Sequence, residues 1–395
     1  GIIVISAGFR ETGEPGQALE RALRDEAARF PGMRIVGPNC LGVIVPGIRM
    51  NASFASDMPQ DGHVAFISQS GALCTSVLDW ALSENIGFSH FVSVGNMLDV
   101  GFADLIDYFG EDPNTRSIIL YVESLRDARS FMSAARGFAR VKPIIAYKSG
   151  RFAESARAAA SHTGALAGQE NAYTAAFRRA GVIRAETSEE MFDWARALAW
   201  CPPPKGKRMA VLTNAGGPGV TAADALEVNG LSLAKLGEPT EEALRTLLPA
   251  AASLHNPVDM LASASPEQYA ACLRILLGDE AVDGVLVILP PPPMYTAGAV
   301  AKALIPVIHN AGKPVVVALM GERLIQEAVE HFRAARVPEY RFPERAASAL
   351  AVLAQRGQRL ESCQDEPLRR PGVQVEAARQ VLARADSGAF LPSEA

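Results

Sequence analysis

The chain has 395 residues, 49% of them hydrophobic, with a formal net charge of −5 at pH 7 and a pI near 5.8. This length suits two or three domains with cores of their own, and the acidic balance without long basic blocks argues against a nucleic-acid partner. No apolar run approaches the roughly 20 residues that cross a bilayer, and the five cysteines form neither a metal spacing nor a disulfide framework, so we expect a cytoplasmic protein with no membrane partner and no metal bound by this chain.

The first 50 residues have the pattern of the closing part of a Rossmann-like unit. Residues 1–7 predict a buried parallel strand, residues 17–30 an amphipathic helix and residues 33–36 another short strand. Because the chain starts directly with a strand and has no initiator methionine, we expect it to be part of a longer polypeptide.

From residue 63 onward the chain alternates apolar strands with helical patterns. Strands are predicted at 63–67, 88–94, 117–122, 143–147 and 182–185, and helices at 73–83, 103–109, 128–139, 170–180 and 188–199. Regular alternation of this kind is typical of a doubly wound α/β domain with a parallel sheet covered on both faces. We assign this first block to residues 60–200.

A proline-rich linker at residues 201–208 precedes a second alternating block at 209–362. Its strands are predicted at 209–212, 231–234, 284–289 and 314–318, and its last helix at 344–355. Both blocks begin with a strand, a glycine-bearing loop and a helix, and both later carry a Lys-Pro-apolar strand. The two blocks therefore have the pattern of divergent copies of one unit.

The two glycine-bearing loops are candidate phosphate sites. The residues predicted to bind phosphate are Ser68, Ser70 and Gly71 in the first loop and Asn214, Gly216 and Gly217 in the second. A loop that opens a helix exposes free backbone N–H groups at the positive end of the helix dipole, and such ends bind phosphate. In doubly wound sheets ligands lie beyond the carboxyl ends of the strands, where both loops fall.

His162 lies between these loops in the sequence, within a run of small residues that follows a basic stretch. Neutral imidazole is a competent nucleophile near pH 7, and small neighbours let a phosphoryl donor approach the ring. We therefore predict a phosphohistidine held by two helix N-termini. Glu123, which ends an apolar strand, is the candidate partner for the second ring nitrogen; a solvated strand-end carboxylate is the alternative reading.

Five motifs occur in a fixed order: Gly37-Pro38-Asn39-Cys40-Leu41-Gly42, then residues 67–73, 161–168, 214–219 and 256–259. Together they resemble the NDP-forming acyl-CoA synthetases, relatives of succinyl-CoA synthetase and ADP-forming acetyl-CoA synthetase, and the resemblance covers nearly the whole chain. It implies that residues 1–50 end a CoA-binding Rossmann-like domain and that both blocks are flavodoxin-like. It also implies that residues 363–395 lead to an ATP-grasp domain outside this chain.

The resemblance further implies the reaction carboxylate + CoA + ATP ⇌ acyl-CoA + ADP + phosphate, through an acyl phosphate and a phosphohistidine at His162 with Glu123 as its partner. It places CoA against Ser6, Gly8, Phe9, Asn39 and Cys40. ATP or ADP with Mg²⁺ would be held by the ATP-grasp domain or subunit, since the chain carries no Walker-type loop. A homo-oligomer is expected.

Three other features favour supporting roles. Cys40 has no adjacent histidine to lower the pKa of its thiol, so we expect it to pack near the CoA thiol rather than act as a nucleophile. His255 is expected to be a turn residue and residues 290–293, four prolines in succession, a rigid loop.

Two alternative functions stay open at this point. Relatives of this scaffold serve as non-catalytic acyl-CoA-binding modules of protein acetyltransferases, in which the histidine is typically lost. A lyase that uses the same half-reactions on an unusual acid is the other alternative. The intact Ser161-His162-Thr163-Gly164 run and the two intact loops favour the synthetase.

Overall fold

A computed structural model describes residues 1–84, 86–152 and 170–362, and their strands form a two-stranded pair, a sheet of seven strands and a sheet of six. No helix in the described ranges is long and apolar enough to cross a membrane.

The N-terminal segment contains β1 (Ile2–Ile3), α1 (Glu14–Ala27) and β2 (Ile35–Val36), with β1 and β2 paired in parallel. The prediction of a buried strand over residues 1–7 is wrong in length and burial: Ile2 and Ile5 are 44% and 46% exposed. The reason is that β1 pairs only with β2 among the described residues, and two short strands cannot cover both of their faces.

Within the described residues, the first large sheet and the helices around it comprise seven strands and five helices. They are β3 (Gly42–Val45), β4 (Met50–Ser53), β5 (Asp61–Ser68), α2 (Gly71–Ser83), β6 (Phe88–Ser93), α3 (Phe102–Glu111), β7 (Ser117–Val122), α4 (Ala128–Phe138), β8 (Ile144–Lys148), α5 (Glu170–Ala180), β9 (Ile183–Ala185) and α6 (Ser188–Trp200). The strand order is β4-β3-β6-β5-β7-β8-β9, and the strands from β5 to β9 pair in parallel. The predicted strands and helices of this block all have counterparts here.

The hairpin β3–β4 was not predicted from the sequence. It pairs antiparallel with β6 at the edge of the first large sheet, through Val43 and Ile44. The expected end of the N-terminal segment at residue 50 therefore falls inside this hairpin. Each strand has only four residues, too few to show a convincing period in the sequence.

The second large sheet repeats the plan of the first. Its elements are β10 (Arg208–Thr213), α7 (Gly216–Val228), β11 (Ser232–Leu233), α8 (Glu238–Leu247), β12 (Val258–Asp259), α9 (Pro266–Gly278), β13 (Gly284–Leu289), α10 (Ala297–His309), β14 (Val315–Leu319), α11 (Gln326–Ala334), β15 (Glu339–Tyr340) and α12 (Pro343–Ser362). The strand order is β11-β10-β13-β14-β15, with β12 also beside β10, and all these pairings are parallel.

The strands that precede the two glycine-bearing loops, β5 and β10, pair in the same register with their neighbours β7 and β13. Ser68 at the end of β5 lies opposite Tyr121 of β7, and Thr213 at the end of β10 lies opposite Ile288 of β13.

Residues Gly1–Arg359 form one compact unit. One apolar cluster draws on α2 and α6 of the first sheet and on α7 and α12 of the second.

A buried ion-pair network also joins the two large sheets. Asp193 and Arg196 of α6 are 3% exposed, and Arg345 of α12 donates to the Asp193 carboxylate through Nε at 2.7 Å and Nη2 at 2.8 Å. The Arg196 guanidinium lies 3.4 Å from Oε1 of Glu339 in β15. Burial lowers the pKa of Arg196, but the nearby Glu339 and Asp193 carboxylates raise it by more, so that pKa is raised overall. The network borders a cavity of about 460 Å³ between α2, α6 and α11.

Candidate active site

The first glycine-bearing loop connects β5 to α2. The Ser68 hydroxyl, fully buried, donates to the carbonyl of Ser70 at 3.0 Å and accepts from its N–H at 3.1 Å. Ser70 is the N-cap of α2, and its Oγ accepts from the N–H of Leu73 at 3.3 Å. The N–H groups of the first helical residues, Gly71 and Ala72, have no intrahelical acceptors, as at every helix start.

The second loop connects β10 to α7 with the same hydrogen bonds. The Thr213 hydroxyl donates to the carbonyl of Ala215 at 3.0 Å and accepts from its N–H at 3.1 Å. The N-cap is Ala215, which has no side-chain acceptor, and Gly216 and Gly217 begin the helix as exposed residues. The two loops are therefore copies of one backbone design, each presenting a helix N-terminus that suits an anion.

Glu123 follows the last residue of β7 and is partly buried beside the first loop. The Gln69 side chain joins the two: its Oε1 accepts from the N–H of Glu123 at 2.6 Å and from that of Ser124 at 2.9 Å. Its Nε2 donates to the Ser124 hydroxyl at 3.3 Å. The structure thus brings the predicted carboxylate and the predicted phosphate loop to the same sheet edge.

His162 and the small residues around it lie outside the described residues. The described residues on either side of that segment are joined by an ion pair, with Arg151 Nε 3.1 Å from Oε1 of Glu170. Arg184 of β9 pairs with the same carboxylate. Burial raises the pKa of Glu170, but the hydrogen bonds and charges of the two arginines outweigh it and lower that pKa overall.

Lys148, which belongs to the basic stretch before His162 in the sequence, is a buried cation at the end of β8. It is 3% exposed, its Nζ lies 4.7 Å from the centre of the Tyr173 ring, and it donates to the carbonyl of Ser149. Burial is the main reason that its pKa is lowered. Lys148 lies opposite Val122, one residue before Glu123, and the Glu123 charge acts on its pKa, so a positive charge is built in beside Glu123.

Two of the predicted CoA-binding segments contact each other. The N–H of Asn39 donates to the carbonyl of Ser6 at 2.9 Å, and the Cys40 thiol donates to the carbonyl of Val4 at 3.3 Å. Cys40 is 3% exposed, and burial raises the pKa of its thiol to about 11, which disfavours a thiolate nucleophile.

Gly8 and Phe9, the other predicted CoA contacts, donate their N–H groups to Oε1 of Glu11 at 2.6 and 3.0 Å. Burial raises the pKa of Glu11, but these bonds and one from Asn96 outweigh it, so that pKa is lowered overall. An ionised carboxylate therefore already contacts both N–H groups.

The turn at residues 37–42 packs against the first loop. A side chain added at Gly71 would come within 3.7 Å of the Leu41 nitrogen. At Gly95, where φ is +50°, an added Cβ would lie 2.3 Å from the carbonyl oxygens of Pro38 and Asn39, so only glycine fits. The predicted CoA turn and the predicted phosphate loop are thus neighbours.

Asn214 belongs to the second loop, and Asp259 lies beside that loop. Asn214 is 4% exposed, and within the described residues its Oδ1 has no hydrogen-bond partner. A Cβ on Gly216 would lie 3.3 Å from the Asp259 carboxylate. Asn256 has a structural role, because its side chain bonds to the backbone of Val211 and Met209 in β10.

His255, expected to be a turn residue, is at the surface. Its side chain is 80% exposed, and its Nδ1 lies 2.8 Å from Oε1 of Glu241. Within the described residues no group of three or more His, Cys, Asp or Glu side chains is placed to hold a metal ion.

Two family models match the chain: a succinyl-CoA ligase-like flavodoxin domain over residues 61–198 and a ligase-CoA domain over residues 209–364. The chain is 44% identical over 361 residues to the α subunit of acetate–CoA ligase (ADP-forming) II of Pyrococcus furiosus, covering 90% of this chain and 78% of the subunit. It is 42% identical over 353 residues to acetate–CoA ligase (ADP-forming) I of Archaeoglobus fulgidus, covering 89% of this chain and 50% of that protein.

Among solved structures, the chain matches the dinucleotide forming acetyl-coenzyme A synthetase 1 of Ca. Korarchaeum cryptofilum in complex with phosphate and ADP. The TM-score is 0.86 at 38% identity, over 92% of this chain and 79% of that chain. The chain therefore spans 78% of the P. furiosus subunit, 79% of the K. cryptofilum chain and half of the A. fulgidus protein.

Proposed function

The chain belongs to the family of ADP-forming acyl-CoA synthetases, and from that premise we propose that it carries the CoA-binding and phosphohistidine part of such an enzyme. The reaction would be carboxylate + CoA + ATP ⇌ acyl-CoA + ADP + phosphate.

One observation carries the proposal: two helix N-termini, those of α2 and α7, are built by the same hydroxyl-to-backbone hydrogen bonds. A phosphoryl group needs charge stabilisation and alignment more than covalent chemistry from its enzyme. Each helix N-terminus offers about half a positive charge and free N–H donors, worth up to about 2 kcal/mol where solvent is partly excluded. The six predicted phosphate-binding residues belong to these two loops.

In the forward direction, a ring nitrogen of His162 would attack the γ-phosphorus of ATP, and ADP would leave. The phosphohistidine would then pass its phosphoryl group to a carboxylate oxygen, which gives an acyl phosphate and restores the histidine. The CoA thiol, on losing its proton, would attack the acyl carbon and release inorganic phosphate. Histidine storage of the phosphoryl group lets the nucleotide and CoA sites be separate.

Glu123 would accept a hydrogen bond from the second ring nitrogen of His162. Such a bond fixes the tautomer that leaves the attacking nitrogen with a lone pair, and it stabilises the positive charge that develops on the ring. The partly buried Glu123, next to the first loop and with Lys148 nearby, suits this role.

CoA would bind at Ser6, Gly8, Phe9, Asn39 and Cys40, next to the first loop. For an anionic part of CoA to reach the N–H groups of Gly8 and Phe9, the Glu11 carboxylate would have to withdraw from them.

ATP or ADP with Mg²⁺ would be held by an ATP-grasp domain or partner subunit. We also propose that the complete enzyme is a homo-oligomer that works in the cytosol.

Replacement of His162 tests the proposal. In the complete synthetase that contains this chain, His162→Ala should abolish ATP-dependent acyl-CoA formation, while the melting temperature stays at the wild-type value. His255→Ala, which alters an exposed histidine whose ring pairs with Glu241, is the matched control and should leave turnover unchanged. Acyl-CoA synthesis at the normal rate by His162→Ala would refute the phosphohistidine route.

A further inference from the structure

Gln69 is a buried side chain that the proposed reaction leaves without a role. It is 8% exposed and lies inside the first loop, between the buried Ser68 and the helix cap Ser70. Its Oε1 accepts two backbone hydrogen bonds, from Glu123 and Ser124, and its Nε2 donates to the Ser124 hydroxyl. We call these three bonds the Gln69 brace.

The second sheet contains the equivalent position without the brace. Asn214 follows Thr213 as Gln69 follows Ser68, and both strands have the same register to their neighbours. In the first sheet, Glu123 and Ser124 follow Tyr121 by two and three residues. In the second sheet, Pro290 and Pro291 follow Ile288 at the same spacing.

Proline has no backbone N–H, so the second copy lacks both donors that the brace uses. This explains why, within the described residues, the buried Oδ1 of Asn214 has no partner. The second loop nevertheless keeps the same hydroxyl-to-backbone bonds as the first. The brace is therefore not needed to build a loop of this kind.

What distinguishes the first copy is the carboxylate at position 123, where the second copy has a proline. The brace fixes the backbone nitrogen of Glu123 to the loop that opens α2, at 2.6 Å from Gln69. We infer that Gln69 is a positioning residue, which holds Glu123 in register with the first loop so that the carboxylate meets its histidine. The inference rests on the proposed role of Glu123.

The physical reason is the geometric demand of the transfer step. A displacement of about 1 Å at a group that orients a nucleophile can cost on the order of 10²-fold in rate. Glu123 follows the last residue of β7, so it lies just beyond the part of the chain that the strand ladder holds. The Gln69 brace supplies a fixed point at that residue and the next.

Gln69→Asn is the most informative variant, because the second loop folds with asparagine at the same place. It withdraws the carboxamide by one bond, about 1.5 Å, and so breaks the brace without removing the amide. Gln69→Leu removes the amide, and Gln69→Glu keeps an oxygen that accepts from both N–H groups. Melting temperatures show which variants are folded.

The first readout is residue-resolved hydrogen exchange of the Glu123 and Ser124 amides in the full chain, measured by NMR. Gln69→Asn and Gln69→Leu should speed the exchange of both amides by about tenfold, the effect of losing one hydrogen bond. Gln69→Glu should retain their protection. Asn214→Leu, the control at the equivalent position, should leave both amides unchanged. Wild-type protection in folded Gln69→Asn and Gln69→Leu would overturn the inference.

The second readout is a double-mutant cycle on the rate of histidine phosphorylation in the complete synthetase. Gln69→Asn alone should slow phosphorylation by about tenfold or more, yet add less than about threefold to Glu123→Gln, because residues that act through one another are non-additive. Multiplicative losses would overturn the positioning role. Normal phosphorylation by Glu123→Gln itself would refute the proposed function of Glu123 instead, so the two failures are distinguishable.

Discussion

At the scale of single residues, the positions of the two loops and of Glu123 at the ends of their strands were predictable. The Gln69 amide that joins the first loop to Glu123 was not. Glycine and serine after an apolar strand mark the loops locally. The Gln69 brace depends on the register between β5 and β7, which places Ser68 opposite Tyr121 and which no local pattern reveals. A signal did exist: both loops carry a buried amide, Gln69 and Asn214, at the same position.

Glu123→Gln is the first prediction at this scale. The amide keeps the shape of the side chain but loses the negative charge that stabilises a cationic imidazole. Phosphorylation in the complete synthetase should slow by on the order of 10²-fold or more, in line with general acid–base contributions. Rapid-quench measurement of the phosphorylated chain would give the rate.

CoA affinity should barely change in this variant, since the predicted CoA contacts lie in other segments. Glu330→Gln, the same chemical change at an exposed carboxylate of α11, is the matched control and should behave as wild type. Near-normal phosphorylation kinetics in Glu123→Gln would return Glu123 to the role of a solvated strand-end charge.

At the scale of elements, long apolar strands and helices with a clear period were predicted well. The strands Ser117–Val122 and Gly284–Leu289 and the helix Glu170–Ala180 have the predicted bounds. The strands β12 and β15, of two residues each, were missed because so short a segment has no period. The ion pairs between the sheets could not be predicted from the sequence either, because they join residues that are far apart along the chain.

Asp193→Asn tests that ion-pair network. The Asp193 carboxylate accepts from Arg345 at 2.7 and 2.8 Å and from Arg196 at 3.1 Å, and it is almost fully buried. Removing its charge takes one carboxylate partner from the buried Arg196, which keeps Glu339, and from Arg345, which keeps Glu189. The free energy of unfolding should therefore fall by about 3 kcal/mol. Chemical denaturation would measure the change.

The control is Glu242→Gln, which breaks an exposed ion pair with Arg245 on α8. Exposed pairs contribute about 1 kcal/mol at most, so its effect should be much smaller. Equal, small losses in both variants would mean that the buried network does not hold the two sheets together.

At the scale of the whole molecule, the confirmed family and α/β architecture place this chain within an ADP-forming acyl-CoA synthetase. Five motifs in a fixed order were sufficient for that prediction. Two sheets that share an apolar cluster and a buried ion-pair network form one unit. A rigid pair of loop-bearing sheets would give a phosphohistidine a fixed docking geometry.

The central claim is that this chain carries the phosphohistidine while an ATP-grasp domain or subunit holds the nucleotide, and isotope labelling tests it most directly. The chain is incubated with ATP labelled at the γ-phosphate, with and without its ATP-grasp domain or subunit, and the labelled residue is located by tandem mass spectrometry at neutral pH. We expect acid-labile phosphate on His162 only when the ATP-grasp part is present. Label at another residue, or labelling of His162 by ATP in the isolated chain, would contradict the account.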